Sequence, residues 1–182
     1  VKSLLEWMQE AGSPFTLEEK IRIEIAYGDI AMQRNQVREA LEIFSRTRQN
    51  AAYQKTLTVH DATLREVRAK RIAKNFDGAL QTLANLEFKR IPEIWTKLRF
   101  ARAEVYFDME EYEDAAEDID DILTREPHHP DAKIMLGKVQ LKREKLMEAT
   151  EVELGSAMAQ KFLVPGEKLK VTLTDPTLDV SG

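Results

Sequence analysis

Cysteine is absent from all 182 residues, which excludes disulfides, thiolate metal sites and cysteine nucleophiles together. No run approaches the roughly eighteen apolar residues that a bilayer-spanning helix requires. An excess of positive charge is also missing. The net charge is -5, from 27 basic and 32 acidic residues, so nothing general favours nucleic-acid or anionic-membrane binding. A glycine-rich phosphate loop, a G-x-S-x-G elbow and an H-E-x-x-H pair are all lacking. Histidine is limited to His60, His128 and His129, each expected near a loop. Catalysis and a resident cofactor therefore find no assembled constellation, and a non-enzymatic protein is expected.

Of the residues present, 43% are hydrophobic and 32% charged, a balance that fits a folded, soluble, helix-rich chain. The length suits one well-buried domain or a short array of repeats. The chain opens on Val1 without a charged-then-apolar leader, and the expectation is a piece of a longer protein.

Four segments align on an alanine: "QVREALEIF", "NFDGALQTL", "EYEDAAEDI" and "EKLMEATEV". Ala40, Ala79, Ala115 and Ala149 are separated by 39, 36 and 34 residues. Twelve positions earlier stand Gly28, Val67, Ala103 and Gly137; four positions later stand Phe44, Leu83, Ile119 and Glu153. This is the pattern of a helical hairpin. Two antiparallel helices approach closely where small residues meet, and a large residue one turn on fills the adjacent groove. The polar stretches "RNQ", "KNFD", "MEEYED" and "KREK" suit the connections. A hairpin alone leaves an apolar face uncovered, so the units must stack.

The spacing resembles the tetratricopeptide repeat, a helix–turn–helix of about 34 residues. Tyr106, Tyr112, Ala115, Ile119, Ile122 and Pro127 match it best. Tyr27, Gly28, Ala40 and Phe44 carry the first unit, and Leu136, Gly137 and Ala149 the fourth. The second unit departs from the pattern at Val67 and at Lys70, where an aromatic is usual. The resemblance implies an all-α, right-handed superhelix of stacked hairpins, an α-solenoid. Four hairpins are expected, at about 17–54, 60–93, 96–129 and 130–163.

The acidic stretch "YFDMEEYEDAAEDIDDILTREPHHP" at 106–130 raises a metal reading, which its details oppose. Adjacent histidines diverge, and "DMEEYEDAAEDID" lacks the central glycine of a calcium loop. Ala115, Ala116, Ile119, Ile122 and Leu123 form a buried stripe at helical spacing, leaving the acids on the solvated side. Pro127 ends one helix and Pro130 starts another. The resemblance places His128 and His129 in solvent-facing slots of that turn.

Residues 1–16 read as the end of a preceding amphipathic helix or an N-terminal cap, with Leu4, Leu5, Trp7 and Met8 apolar. Thr16 and Glu19 then form a capping box. Beyond Leu163 the alternation of Leu169, Val171 and Leu173 predicts a short β-type tail over 164–182, a linker or the first strand of a following domain. Its "TDPTLDVSG" is similar to the opening strand of β-sandwich repeats in bacterial surface and envelope proteins, which implies an exported bacterial protein.

The resemblance also implies a concave groove lined by the first helix of each hairpin. The groove residues expected to bind a partner are Arg68, Arg71, Lys97, Phe100, Glu104, Phe107, Asp108 and Lys138. They suit an extended peptide or helix of another protein. Where the chaperone-tail members of the family hold a C-terminal carboxylate with lysine and asparagine, this chain has Ile25, Asp29, Leu64 and Arg68, which does not support that use. Two alternatives stand beside peptide capture. One is self-association through the Leu4–Met8 face or the last helix. The other is RNA binding through the basic strip 64–74, weakened by the lack of paired aromatics.

Overall fold

The capping box forms and starts the first long helix, α1 (Leu17–Gln33). The Glu19 N–H donates to Thr16 Oγ1 at 3.2 Å, and the Thr16 N–H donates to Glu19 Oε2 at 2.8 Å. The Thr16 N–H foremost, and then the Thr16 hydroxyl, which donates to Glu19 Oε2 at 2.9 Å, hold the Glu19 carboxyl below its ordinary range. The structure, a computed structural model, describes residues 7–8, 12–87 and 92–162. Six helices follow α1: α2 (Val37–Gln49), α3 (Val59–Ile72), α4 (Phe76–Glu87), α5 (Trp95–Asp108), α6 (Tyr112–Arg125) and α7 (Pro130–Phe162). Short 3₁₀ turns occupy Ala51–Tyr53 and Pro92–Ile94, and no strand occurs among the described residues. The β-type tail expected at 164–182 lies outside the described residues.

Three tight turns join α1 to α2, α3 to α4 and α5 to α6, and they are copies of one another. Asn35, Lys74 and Glu110 adopt left-handed backbone, with φ of 60°, 57° and 65°. In each turn the next residue's N–H reaches back five positions: Gln36 to Ala31 O, Asn75 to Lys70 O, and Glu111 to Tyr106 O. The left-handed residue's own N–H reaches back three, to Met32, Arg71 and Phe107. This pair of bonds closes the carbonyls that a helix end leaves open. Five residues past each left-handed position comes Ala40, Ala79 or Ala115, all fully buried. The register of the second unit follows from the same geometry. Lys70 fills the place where the family pattern has an aromatic, and its Nζ donates to Thr82 Oγ1 at 2.8 Å.

Each helix from α1 to α5 touches its successor; in addition α1 touches α3, and α3 touches α5. The first helices of consecutive hairpins therefore lie side by side. Gly28 permits the tightest approach, since a Cβ there would stand 2.6 Å from Phe44 Cζ. Val67, Ala79, Leu83, Leu98 and Val105 share one core cluster, and Ala103, Ile119, Ile122, Ala132 and Met135 another.

The chain divides into two compact units, Val1–Leu141 and Lys142–Gly182. In the first, the opening turns of α7 bury Ala132, Met135 and Val139. In the second, the described side chains, Leu146, Met147 and Val152 among them, are exposed.

The fourth hairpin does not form. "KREK" is helical, and α7 runs unbroken from Pro130 to Phe162. The physical reason is twofold. Its residues are strong helix formers, which favours continuing the helix. Glu153 also occupies the position where Phe44, Leu83 and Ile119 fill the groove, and a carboxylate does not supply that burial. Gly137 accordingly meets nothing; a Cβ added there has open space around it.

Candidate functional site

The side-by-side arrangement of α1, α3 and α5 leaves a cavity of about 610 Å³ between them. Ile25 comes from α1, Leu64 and Arg68 from α3, and Phe100, Ala101 and Glu104 from α5. His129 and Asp131, at the start of α7, close one end. A second hollow of about 370 Å³ lies beyond Arg65 and Arg68, lined by Met32, Phe44 and Ile72.

Most charges along this surface are already satisfied within the chain. Asp29 on α1 pairs with Arg65 on α3 at 3.3 Å, and Asp61 on α3 pairs with Lys97 on α5 at 3.2 Å. Arg71 on α3 reaches Glu104 at 2.8 Å and Asp108 at 3.2 Å on α5. These are cross-links between neighbouring first helices. Of the expected binding residues, then, Arg71, Lys97, Glu104 and Asp108 are brought together, but engaged with one another or with Asp61. Arg68 is different: it is exposed, and no ion pair or hydrogen bond joins it to any described residue.

Phe100 lines the cavity and stacks on His129, with ring centroids 6.1 Å apart. His129 is half-buried, not in the solvent-facing slot expected. Its Nδ1 accepts from the Ala132 N–H at 3.2 Å and caps α7, which draws the ring inward. Phe107 is turned into the core, edge-on to Tyr112 at 5.6 Å. Lys138 is exposed on α7 and lines none of these hollows.

The sequence reading missed three buried carboxylates. Glu24 accepts from Thr47 Oγ1 at 2.6 Å and from the Tyr53 hydroxyl at 3.1 Å. Burial first, and the Glu24 charge second, push the Tyr53 phenol up to about 12. Glu66 is held by Arg48 and by Lys70 at 2.8 Å. Asp118, inside the acidic stretch taken as solvated, accepts from Arg99 at 2.8 Å and from Arg102 Nε at 2.7 Å. Asp118 follows Ala115 by three residues, on the buried side of α6; that spacing was the available signal. His60 is likewise buried, as the second residue of α3 beside the preceding turn. Each carboxylate ties two helices or two turns together, a structural use of charge.

Among the described residues no group of three or more His, Asp or Glu side chains is placed to hold a metal ion, and no helix is long and apolar enough to cross a membrane. No family model matches the chain, and no curated protein matches it.

Proposed function

We propose that the helical hairpins form a tetratricopeptide-like solenoid whose concave side captures an extended peptide of a partner protein, with no catalytic role. Three things support the repeat reading: the three identical turns, the buried alanine five residues after each, and the contacts between successive first helices. The observation that carries the binding reading is the cavity shared by α1, α3 and α5, with Phe100 on its wall and Arg68 joined by no ion pair while Arg65, Arg71 and Lys97 are paired. Aromatic and arginine side chains in such hollows dominate interface energetics.

The test is to pan a random peptide display library against the purified chain and measure the selected peptides by fluorescence anisotropy. Phe100→Ala and Arg68→Glu should each weaken binding while far-UV circular dichroism stays unchanged. Selected peptides indifferent to both substitutions would remove the groove assignment.

Self-association is a second reading, favoured by the exposed Ile134 and Leu141 on α7. The Leu4–Met8 face contributes less than expected, because Met8 is itself buried at 1% exposure. Light scattering over a concentration series, with Ile134→Ser and Leu141→Ser, separates this reading from peptide capture. RNA binding loses its footing: of the five basic residues in 64–74, Arg65, Lys70 and Arg71 are already paired with acids of the chain.

A further inference from the structure

Resting on the groove reading, we infer that the captured segment carries an internal acidic side chain flanked on both sides by large apolar ones, each two residues away. The inference comes from the order of residues along α3. Leu64 lines the larger hollow, Ile72 lines the smaller, and Arg68 lines both. They stand four residues apart on one helix, so each step is about 6 Å along the axis. An extended chain advances about 6.6 Å in two residues, and its side chains at i, i+2 and i+4 project to the same side. The two rulers match: three alternate side chains of an extended ligand meet Leu64, Arg68 and Ile72 in turn.

Chemistry then assigns each place. The hollow beside Leu64 also presents Ile25, Phe100 and Ala101, and the hollow beside Ile72 presents Met32 and Phe44. In each, these residues form an apolar patch beside charged ones, and an apolar side chain of the ligand covers it. Ile72 is 48% exposed, so a ligand there removes apolar surface from water. Between them, any ligand that covers the groove strips water from Arg68, while Asp29, Asp61, Glu104 and Asp108 are committed to Arg65, Lys97 and Arg71. A carboxylate on the ligand meets that cost best, and a cation there is repelled. The carboxylate belongs to a side chain and not to a chain terminus. Hollows with an apolar patch flank Arg68 on both sides, and a terminal group would leave one of them empty.

The probe is a fluorescein-labelled peptide, acetylated and amidated, with the core Leu-Thr-Glu-Thr-Leu, read by anisotropy against the purified chain. Replacing the central glutamate by glutamine should weaken binding about tenfold, the worth of one charge-assisted hydrogen bond. Arg68→Glu should abolish binding of the glutamate peptide and admit a lysine-centred one. Ile72→Ser and Phe100→Ala should each weaken it. Equal affinity of the glutamine peptide overturns the inference, and so does no binding above background. A peptide that stops at the glutamate with a free terminus and binds as tightly as the full core also overturns it. The groove reading fails separately. Display-selected peptides that depend on Phe100 but lack this spacing sink the motif and keep the groove; peptides indifferent to Phe100, Arg68 and Ile72 sink both.

Discussion

The ring of Phe44 occupies the space that a side chain at Gly28 would need: a Cβ there would stand 2.6 Å from Cζ, and Phe44 is buried at 1% exposure. Gly28→Ala therefore forces the ring or the α1–α2 spacing to yield. We expect a loss of about 2 kcal/mol in urea unfolding, the overpacking cost exceeding alanine's better helix propensity. Gly137→Ala is the contrast. A Cβ there meets nothing, and the residue is inside α7, so the substitution should gain up to about 1 kcal/mol. Equal effects at the two glycines would contradict the packing.

Tyr53 couples stability to alkaline pH. Its folded-state value, about 12, is above the ordinary 10.0, so the folded protein holds the phenolic proton more tightly than the unfolded chain does. The corresponding stability is fully present below about pH 10 and drains away as pH rises toward 12. Tyr53→Phe should cost about 1 kcal/mol at neutral pH, from the lost hydrogen bond to Glu24, and should flatten the alkaline decline. Tyr106 is raised too, chiefly by burial, so part of the decline survives the substitution. Urea midpoints taken across the alkaline range decide the matter; a parallel decline in both proteins would refute the assignment.

Arg71 and Arg68 differ by one turn of the same helix and should behave oppositely. Arg71→Glu turns the contacts with Glu104 and Asp108 from attraction to repulsion, and we expect a stability loss of about 1 kcal/mol. Arg68→Glu breaks no ion pair or hydrogen bond with a described residue and should stay within about 0.5 kcal/mol of the parent. Arg68 is for that reason the cleaner reporter of ligand capture. Similar losses in chemical denaturation would show that Arg68 also holds the helices.

What was legible in the sequence was local. Ala40, Ala79 and Ala115 marked three real hairpins, because a small residue at a helix crossing leaves a mark at fixed spacing whatever surrounds it. The expected groove positions on α3 and α5 did converge on one cavity for Arg68, Lys97, Phe100 and Glu104. Which of these charges were free was not legible, since the pairing of Arg71 with Asp108, or of Asp61 with Lys97, joins residues on different hairpins. The burial of Asp118 was legible from its spacing to Ala115, but its partners, Arg99 and Arg102 on the preceding helix of the same hairpin, were not. Phe107 passed for a groove aromatic because its heading depends on Tyr112, across the turn. The false fourth hairpin came from weighing Gly137 and Ala149 above Glu153 and above the helix-forming character of "KREK".

That last distinction can be put to a direct test with one substitution at two matching places. Glu110 and Glu144 each stand five residues before their aligned alanines, yet Glu110 is left-handed at φ 65° and Glu144 is inside α7. Left-handed backbone strains any residue with a Cβ by about 1–2 kcal/mol, and glycine is free of that strain. Glu110→Gly should therefore stabilise the protein, by about 0.5 kcal/mol once the looser unfolded chain is counted. Glu144→Gly gains nothing of the kind; it replaces a good helix former by a poor one and should lower local helix stability by about 1 kcal/mol. Urea unfolding reads the first, and amide hydrogen exchange over Lys142–Lys145 the second. Slower exchange in Glu144→Gly would mean a turn at "KREK" and a fourth hairpin, because only a left-handed residue there turns glycine from a weakness into a gain.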